Sequence, residues 1–199
     1  MPKDSTDTKH RLLDAAEHLI GQRGPEAVSM REISAAAGQA NNNAATYHFG
    51  SRDEIIAAVL DRRMQPIDDL RTEMVDALPA EASMEDLVRT LVVPLVEHGR
   101  RHPDFLPFFA QLRVSPTFTG LVSHERPHSR SYHTLISLLD RHLEHWDAHA
   151  LAGRRWLLGV LLVHGVAEFA AAPDQRPPAD WDEMVDGLVT ATVALLRDP

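Results

Sequence analysis

The stretch of sequence that decides the fold is Ser29–Ile55, SMREISAAAGQANNNAATYHFGSRDEI. Ser29 and Glu32 stand three positions apart in front of apolar residues at helical spacing, which is the pattern of a capping box at a helix start. Gly38 follows these residues, and glycine commonly ends helices in the left-handed conformation. The sequence therefore predicts a short helix that begins after Ser29 and stops before Gly38.

A second short helix is predicted directly after the turn, over Ala44–His48. One of the asparagines 41–43 is expected to cap it, Gly50 closes it, and Ser51-x-x-Glu54 opens the next helix with another capping box. A helix of this length is stable only when it packs on a neighbour. We therefore predict a helix-turn-helix whose second member enters the major groove of DNA.

The same stretch resembles the DNA-binding domain of the TetR family of bacterial transcriptional regulators. In that family a T-x-x-x-I-A-x-x-A-G helix precedes a short recognition helix that ends in aromatics, and an F-x-S/N-K-x-x-L segment follows. The resemblance covers residues 8–62, and the segment between the two motifs is one residue longer here than in the commonest form. The matching residues are Ser29, Ile33, Ser34, Ala37, Gly38, Tyr47, Phe49, Ser51, Arg52 and Ile55.

Helical periodicity continues over the rest of the chain without a strand pattern. We predict an all-α protein of about nine helices, with an N-terminal three-helix helix-turn-helix DNA-binding domain over residues 1–50 and a helical effector-binding and dimerisation domain over residues 51–199. Thr6 or Thr8 is expected to cap the first helix, and Pro66 to kink or split the helix after Ser51. The other predicted helices are Met84–Arg101, Pro103 to Arg113, Arg130–Trp146, Asp147 or Ala148 to Ala172, and a last one capped by Asp180-x-x-Glu183.

Charge is distributed unevenly along the 199 residues. The whole chain carries a net charge of −9, whereas residues 1–63 hold eight Lys/Arg against nine Asp/Glu, which leaves −8 for the remainder. Electrostatic attraction to DNA is therefore expected to be weak and sensitive to salt. The chain has no cysteine, no run of 18 apolar residues and a polar N-terminus, which together predict a cytoplasmic protein without a membrane span.

The candidate DNA contacts lie on and beside the second helix of the motif. Asparagine can bind an adenine edge through two hydrogen bonds, Thr, Tyr and His can reach bases or phosphates, and groups at helix starts suit phosphates. Alternatives stay open, since an asparagine can instead cap the helix, Tyr47 can pack inwards and Arg31 can be a solvated charge. The candidates are Ser29, Arg31, Asn42, Asn43, Thr46, Tyr47, His48 and Arg52.

The resemblance also implies an effector pocket in the middle of the chain. A pocket needs apolar walls with a few polar groups, and the densest aromatic segment is Phe105–Phe109, followed by Arg113. His164 and Glu168 lie one helical turn apart on an otherwise apolar helix and need partners if buried. Alternatively, the aromatics are plain core and His164 pairs with Glu168 at a dimer interface. Trp156 is expected to be either a core anchor or an interface anchor. The candidate effector contacts are Phe105, Phe108, Phe109, Arg113, His164 and Glu168.

Metal binding and catalysis find little support in the sequence. Histidines recur at helical spacing at 142, 145 and 149 and at 98 and 102, but they lie beside Arg and Glu, and no H-E-x-x-H motif occurs. There is no G-x-S-x-G motif, no phosphate-binding glycine loop and no cysteine nucleophile. We expect no enzyme activity, no cofactor and no metal.

The favoured function is that of a homodimeric one-component regulator, most often a repressor in TetR-like proteins. It is expected to bind a near-palindromic double-stranded DNA operator and to be released by an unknown small-molecule effector. The homodimer is expected to form through the last two helices, packed as a four-helix bundle. The alternatives are a helical protein-interaction module without DNA binding, which the weak positive charge favours, and a histidine-based metal-dependent enzyme.

Overall fold

The computed structural model describes residues 2–122, 130–171 and 180–197, and every regular element in these ranges is helical. This confirms the all-α prediction. A short 3-10 helix at Thr119–Val122 precedes the seventh α-helix. The α-helices in these ranges are α1 (Pro2–Arg23), α2 (Met30–Ala36), α3 (Ala44–Phe49), α4 (Arg52–Asp76), α5 (Met84–Arg101), α6 (Phe105–Val114), α7 (Arg130–His142), α8 (Ala148–Ala171) and α9 (Trp181–Arg197).

Several helix boundaries follow capping signals in the sequence. At the start of α5 the Ser83 hydroxyl accepts from the Asp86 amide, and the Asp86 carboxylate accepts from the Ser83 amide at 2.9 Å. These hydrogen bonds lower the pKa of Asp86 below its usual value. At the start of α9, Asp180 Oδ1 accepts from the Glu183 amide at 2.8 Å. Gly24, with φ of 80°, follows the last residue of α1.

The structure contradicts the predicted cap of α1 and one of the two alternatives predicted at Pro66. Helix α1 begins at Pro2, so neither Thr6 nor Thr8 caps it, because proline suits the first helical position and no helix breaker follows before Gly21. Helix α4 is not split at Pro66 but continues to Asp76, and a kink at Pro66 stays a prediction. Proline removes a single backbone donor, and the flanking turns of α4 supply the remaining hydrogen bonds.

Helix α7 is shorter than predicted, since it ends at His142 and not at Trp146. Trp146 lies in the turn that follows, and its indole Nε1 donates to the carbonyl of Leu196 at 2.9 Å. Asp147 then caps α8 by accepting from the amides of residues 149 and 150. The predicted end of α8 at Ala172 lies outside the described residues.

The chain packs as two compact units. The first consists of Met1–Arg63 and Asp104–Ser123, and the second of Met64–Pro103 and His124–Pro199. The compact units therefore divide inside α4, and α6 belongs to the first of them. The functional division between residues 1–50 and 51–199 stays a prediction.

In the first unit, α1 packs against α2 and α6. The approach of α6 is close at Gly21, where a Cβ would lie 3.2 Å from the backbone nitrogen of Phe108. Apolar side chains from the helices and loops of the first unit form its core. The fully buried ones include Leu12, Ala16, Ile20, Val28, Ile33, Ala45, Ile55, Phe105, Leu106 and Leu112.

A buried carboxylate joins α1 to α4 within the first unit. Glu17 is 1% exposed and accepts hydrogen bonds from Nη2 of Arg62 at 2.9 Å and from Nε and Nη2 of Arg63 at 2.9 and 2.8 Å. Arg62 also pairs with Asp14 at 2.8 Å. A buried charge needs such partners, so each member of this cluster depends on the others.

In the second unit, α5 packs against α7, α8 and α9, and α8 packs against α9. Residues Ala148–Ala170 of α8 are long and apolar enough to cross a membrane by length and composition, although the core helix of a soluble protein passes the same test. Only 28% of the tested apolar window is buried. Trp156 is 65% exposed, so it is not the core anchor that the sequence allowed.

Candidate nucleic-acid interface

The scanning helix α2 begins with the predicted capping box. The Ser29 hydroxyl accepts from the Glu32 amide at 3.2 Å, and a Glu32 carboxylate oxygen accepts from the Ser29 amide at 2.9 Å. The Glu32 carboxylate also accepts from Nη1 of Arg23 at 2.9 Å. Hydrogen bonds from the Ser29 side chain and backbone, with help from Arg23, lower the pKa of Glu32 from 4.5 to about 2. The start of α2 is thus fixed by a charged hydrogen-bond network.

The turn after α2 begins at Gly38, which the sequence predicts to end the helix in the left-handed conformation. Gly38 has φ of 68°, and its amide donates to the carbonyl of Ala35 at 3.0 Å. The amide of Gln39 donates to the carbonyl of Ser34, also at 3.0 Å. These bonds satisfy the last carbonyls of α2, as the left-handed glycine predicts.

The recognition helix α3 is held by a residue whose role the sequence analysis missed. Ser34 is fully buried on α2, and its hydroxyl donates to the carbonyl of Met30 and accepts from the amide of Ala45, each at 2.9 Å. Ser34 therefore satisfies an amide in the first turn of α3 from the neighbouring helix. The signal that could have found it is a serine beside Ile33 on the apolar side of α2.

The expectation that an asparagine caps α3 is wrong. Asn43 occupies the N-cap position without a side-chain cap, and Asn41 Oδ1 accepts from the Asn43 amide at 3.0 Å instead. This bond closes a turn before the helix, as asparagine side chains often do. Because Ser34 already satisfies the Ala45 amide, a cap by asparagine is not needed there.

Helix α3 turns one side to the core and the other outwards. Ala44 and Ala45 are buried, whereas the candidate contacts Asn42, Asn43 and Thr46 are exposed. Tyr47 is 82% exposed, which excludes the inward-packing alternative within this chain. His48 is half-buried, and its ring meets that of Tyr47 edge-on with centroids 5.1 Å apart. The structure therefore gathers five of the eight candidates on and just before one short helix.

The other three candidates flank that helix. Arg31 is exposed at the start of α2, where no ion pair involving it is found within the described ranges. The exposed Ser29 hydroxyl is engaged with Glu32. Half-buried Arg52 donates from Nη1 to the carbonyl of Pro25 at 3.1 Å, so it already links the start of α4 to the loop after α1. Contact of these side chains with phosphate stays a prediction.

The effector candidates divide between the two units. Phe105 and Phe108 are fully buried in the first unit, which agrees with the core alternative, and Phe109 and Arg113 are half-buried there. The other two, a half-buried His164 and an exposed Glu168, lie on α8 in the second unit. Effector contact by these six residues stays a prediction. In the described part of the chain, no cluster of three or more His, Asp or Glu side chains could hold a metal ion.

An α2–turn–α3 pair packed on α1, with polar side chains turned outwards, defines a helix-turn-helix protein. Residues 12–59 match the model of the family described as "Bacterial regulatory proteins, tetR family". This match spans the helix-turn-helix part of the chain and confirms the resemblance to the TetR family seen in the sequence.

Curated relatives match over part of the chain. The HTH-type transcriptional repressor Rv3405c of Mycobacterium tuberculosis is 34% identical over 100 residues, which are 50% of this chain and 47% of that protein. The chain thus spans about half the length of the curated relatives that it matches.

Solved structures match along nearly the whole chain. A tetR-family regulatory protein from Rhodococcus RHA1 superposes with a TM-score of 0.62 at 16% identity, covering 95% of this chain and 96% of the other. The fatty acid degradation regulator FadR from Bacillus halodurans gives 0.61 at 15% identity, with 94% of each chain covered. At these identities the likeness concerns the fold, an N-terminal helix-turn-helix followed by a helical body.

Proposed function

We propose that this protein is a homodimeric one-component transcriptional regulator, acting as a repressor, whose α3 helices bind a near-palindromic operator. The observation that carries the proposal is the outward side of α3, where exposed Asn42, Asn43, Thr46 and Tyr47 stand next to a buried pair of alanines. An α-helix fits into the major groove of DNA, where amide and hydroxyl side chains can reach the base edges.

The names of the relatives support a regulatory and non-enzymatic function. One matched relative is named a transcriptional repressor, and several matched structures are described as transcriptional regulators. A regulator of this type acts on DNA in the cytoplasm, which is also the location that we propose for this chain.

Dimerisation is proposed through the last two helices. Helix α8 is apolar, yet only 28% of the tested part is buried, and on it Trp156 is 65% exposed and Leu157 44% exposed. A second copy of α8 and α9 would remove this surface from water by forming a four-helix bundle around a two-fold axis. Two α3 helices related by that axis can bind an operator that has two inverted half-sites.

Effector release is proposed to follow from differential affinity. A small molecule that binds one arrangement of the dimer better than another shifts the population towards it. If that arrangement spaces the two α3 helices differently from the operator half-sites, DNA affinity falls. The sequence candidates for effector contact remain part of this proposal.

Selection of DNA from a random pool tests the proposal directly. We expect the full chain to enrich an inverted repeat whose half-sites lie about one helical turn apart. Affinity for the enriched duplex should fall steeply with salt, because phosphate contacts release counterions. Enrichment of no sequence, together with salt-independent weak binding, would overturn the proposal in favour of a protein-interaction module.

A further inference from the structure

A buried cation in the second unit forms no salt bridge with any residue that the structure describes. Arg71 lies on α4 and is 4% exposed. Its buried Nε has no hydrogen-bond partner, and no ion pair to its guanidinium is found among the described residues. A guanidinium carries five N–H donors and accepts nothing, and buried donors of this kind are normally paired. Arg71 therefore has unused capacity to bind an oxyanion.

The carboxylate that could neutralise this cation is committed to another helix. Asp68, three residues earlier on α4 and itself buried, accepts through Oδ1 from the backbone nitrogen of Ser131 at 3.2 Å and from the Ser131 hydroxyl. Asp68 and Tyr132 stabilise the Arg71 cation only at longer range. Burial is the larger effect and lowers the pKa of Arg71 below its usual value. Arginine nevertheless stays charged at neutral pH, so the site keeps a buried positive charge.

The chemistry of this site selects a particular class of ligand. A planar guanidinium binds a carboxylate through two parallel hydrogen bonds, and such bonds are stronger than those between neutral groups. The negative charge of Asp68, which interacts with the Arg71 cation, repels a dianion such as a phosphate monoester more strongly than a monocarboxylate. We propose that Arg71 binds the carboxylate of the effector, which is therefore an organic monocarboxylic acid. This inference rests on the proposed function, because it gives the chemical class of the effector.

Ligand binding and stability measured on the full chain test this assignment. The probes are hexanoate, octanoate and benzoate, with hexanol, octanol, benzyl alcohol and inorganic phosphate as comparisons. The variants are Arg71→Met, which keeps the length and removes the charge, and Arg71→Lys, which keeps the charge without the two-pronged geometry. The control is Arg89→Met, since Arg89 lies in the same unit but pairs with Asp186 at 2.9 Å near the surface.

We expect at least one carboxylate, and none of the alcohols, to raise the Tm of the parent. In calorimetry the affinity for that carboxylate should fall at least about tenfold in Arg71→Met, by less in Arg71→Lys, and not in Arg89→Met. Without ligand, Arg71→Met should melt no lower than the parent, because an incompletely paired buried charge has been removed. A merely structural arginine would instead leave the variant less stable.

Three results would overturn the assignment. They are no binding by any of the carboxylates, equal carboxylate affinity in Arg71→Met and the parent, or Arg71-dependent binding of inorganic phosphate alone. The DNA duplex enriched from the random pool is then titrated with the protein, once without ligand and once with the carboxylate bound to the protein. This comparison separates the present inference from the proposed function. Arg71-dependent binding that leaves DNA affinity unchanged would retain the carboxylate site and refute its effector role, whereas a chain that binds carboxylate but no DNA would refute the regulator.

Discussion

Replacing Ser34 by alanine should disconnect the recognition helix from the scanning helix. The hydroxyl accepts from the Ala45 amide at 2.9 Å, and both residues are fully buried. Alanine leaves that amide without a partner and without water, which costs about 2 kcal/mol. For a chain of this size the corresponding fall in Tm is about 6 °C. Because α3 has only six residues, we expect a loss of DNA affinity of about tenfold or more as its position relaxes.

The matched control is Ser83→Ala, which removes another capping serine but in the second unit. It should lower Tm by an amount that corresponds to about 1 kcal/mol and leave DNA affinity unchanged. Thermal denaturation followed by circular dichroism gives Tm, and fluorescence polarisation with the enriched duplex gives affinity. If Ser34→Ala melts and binds DNA like the parent, the Ser34–Ala45 hydrogen bond does not position α3.

Three further predictions concern a buried network, a titrating carboxylate and the proposed dimer. Glu17→Ala should destabilise the protein by about 3 kcal/mol in urea denaturation, since two arginines lose their shared partner; an unchanged midpoint would contradict this. The pKa of Glu32 is lowered in the folded state, so its contribution to stability is present above about pH 4.5 and is lost as the pH falls towards 2; Glu32→Gln should flatten Tm against pH in that window, and parallel curves would refute the assignment. Trp156→Glu should convert dimer to monomer in light scattering, whereas Val114→Glu, at a residue that is also 65% exposed but in the first unit, should not; equal effects would exclude α8 as the interface.

Local signals in the sequence were sufficient for most of the helices. The Ser29–Glu32 and Ser83–Asp86 capping boxes act within one turn, so the residues that fix the helix start are also neighbours in sequence. Gly38 adopts the positive φ that its position requires. Such features depend on the chain within a few residues, and a single sequence contains all the information that they need.

Features that depend on tertiary packing were not accessible in the same way. The hydrogen bond from Ala45 to Ser34 joins residues eleven positions apart, and without it an asparagine cap was the simplest local prediction. The assignment of α6 to the first unit results from its close packing at Gly21, which no periodicity reveals. The absence of a salt bridge to Arg71 within the described residues likewise depends on Asp68 bonding to Ser131, sixty-three positions away.

Titration of the enriched duplex with variants of the exposed side of α3 tests the central claim most directly. We predict that Asn43→Ala and Tyr47→Ala each weaken binding by about tenfold or more, since each removes an exposed group that we propose contacts the DNA. Thr134→Ala, an exposed helical position in the second unit, should bind like the parent. If both α3 variants bind the duplex as tightly as the parent, then α3 is not the helix that reads DNA.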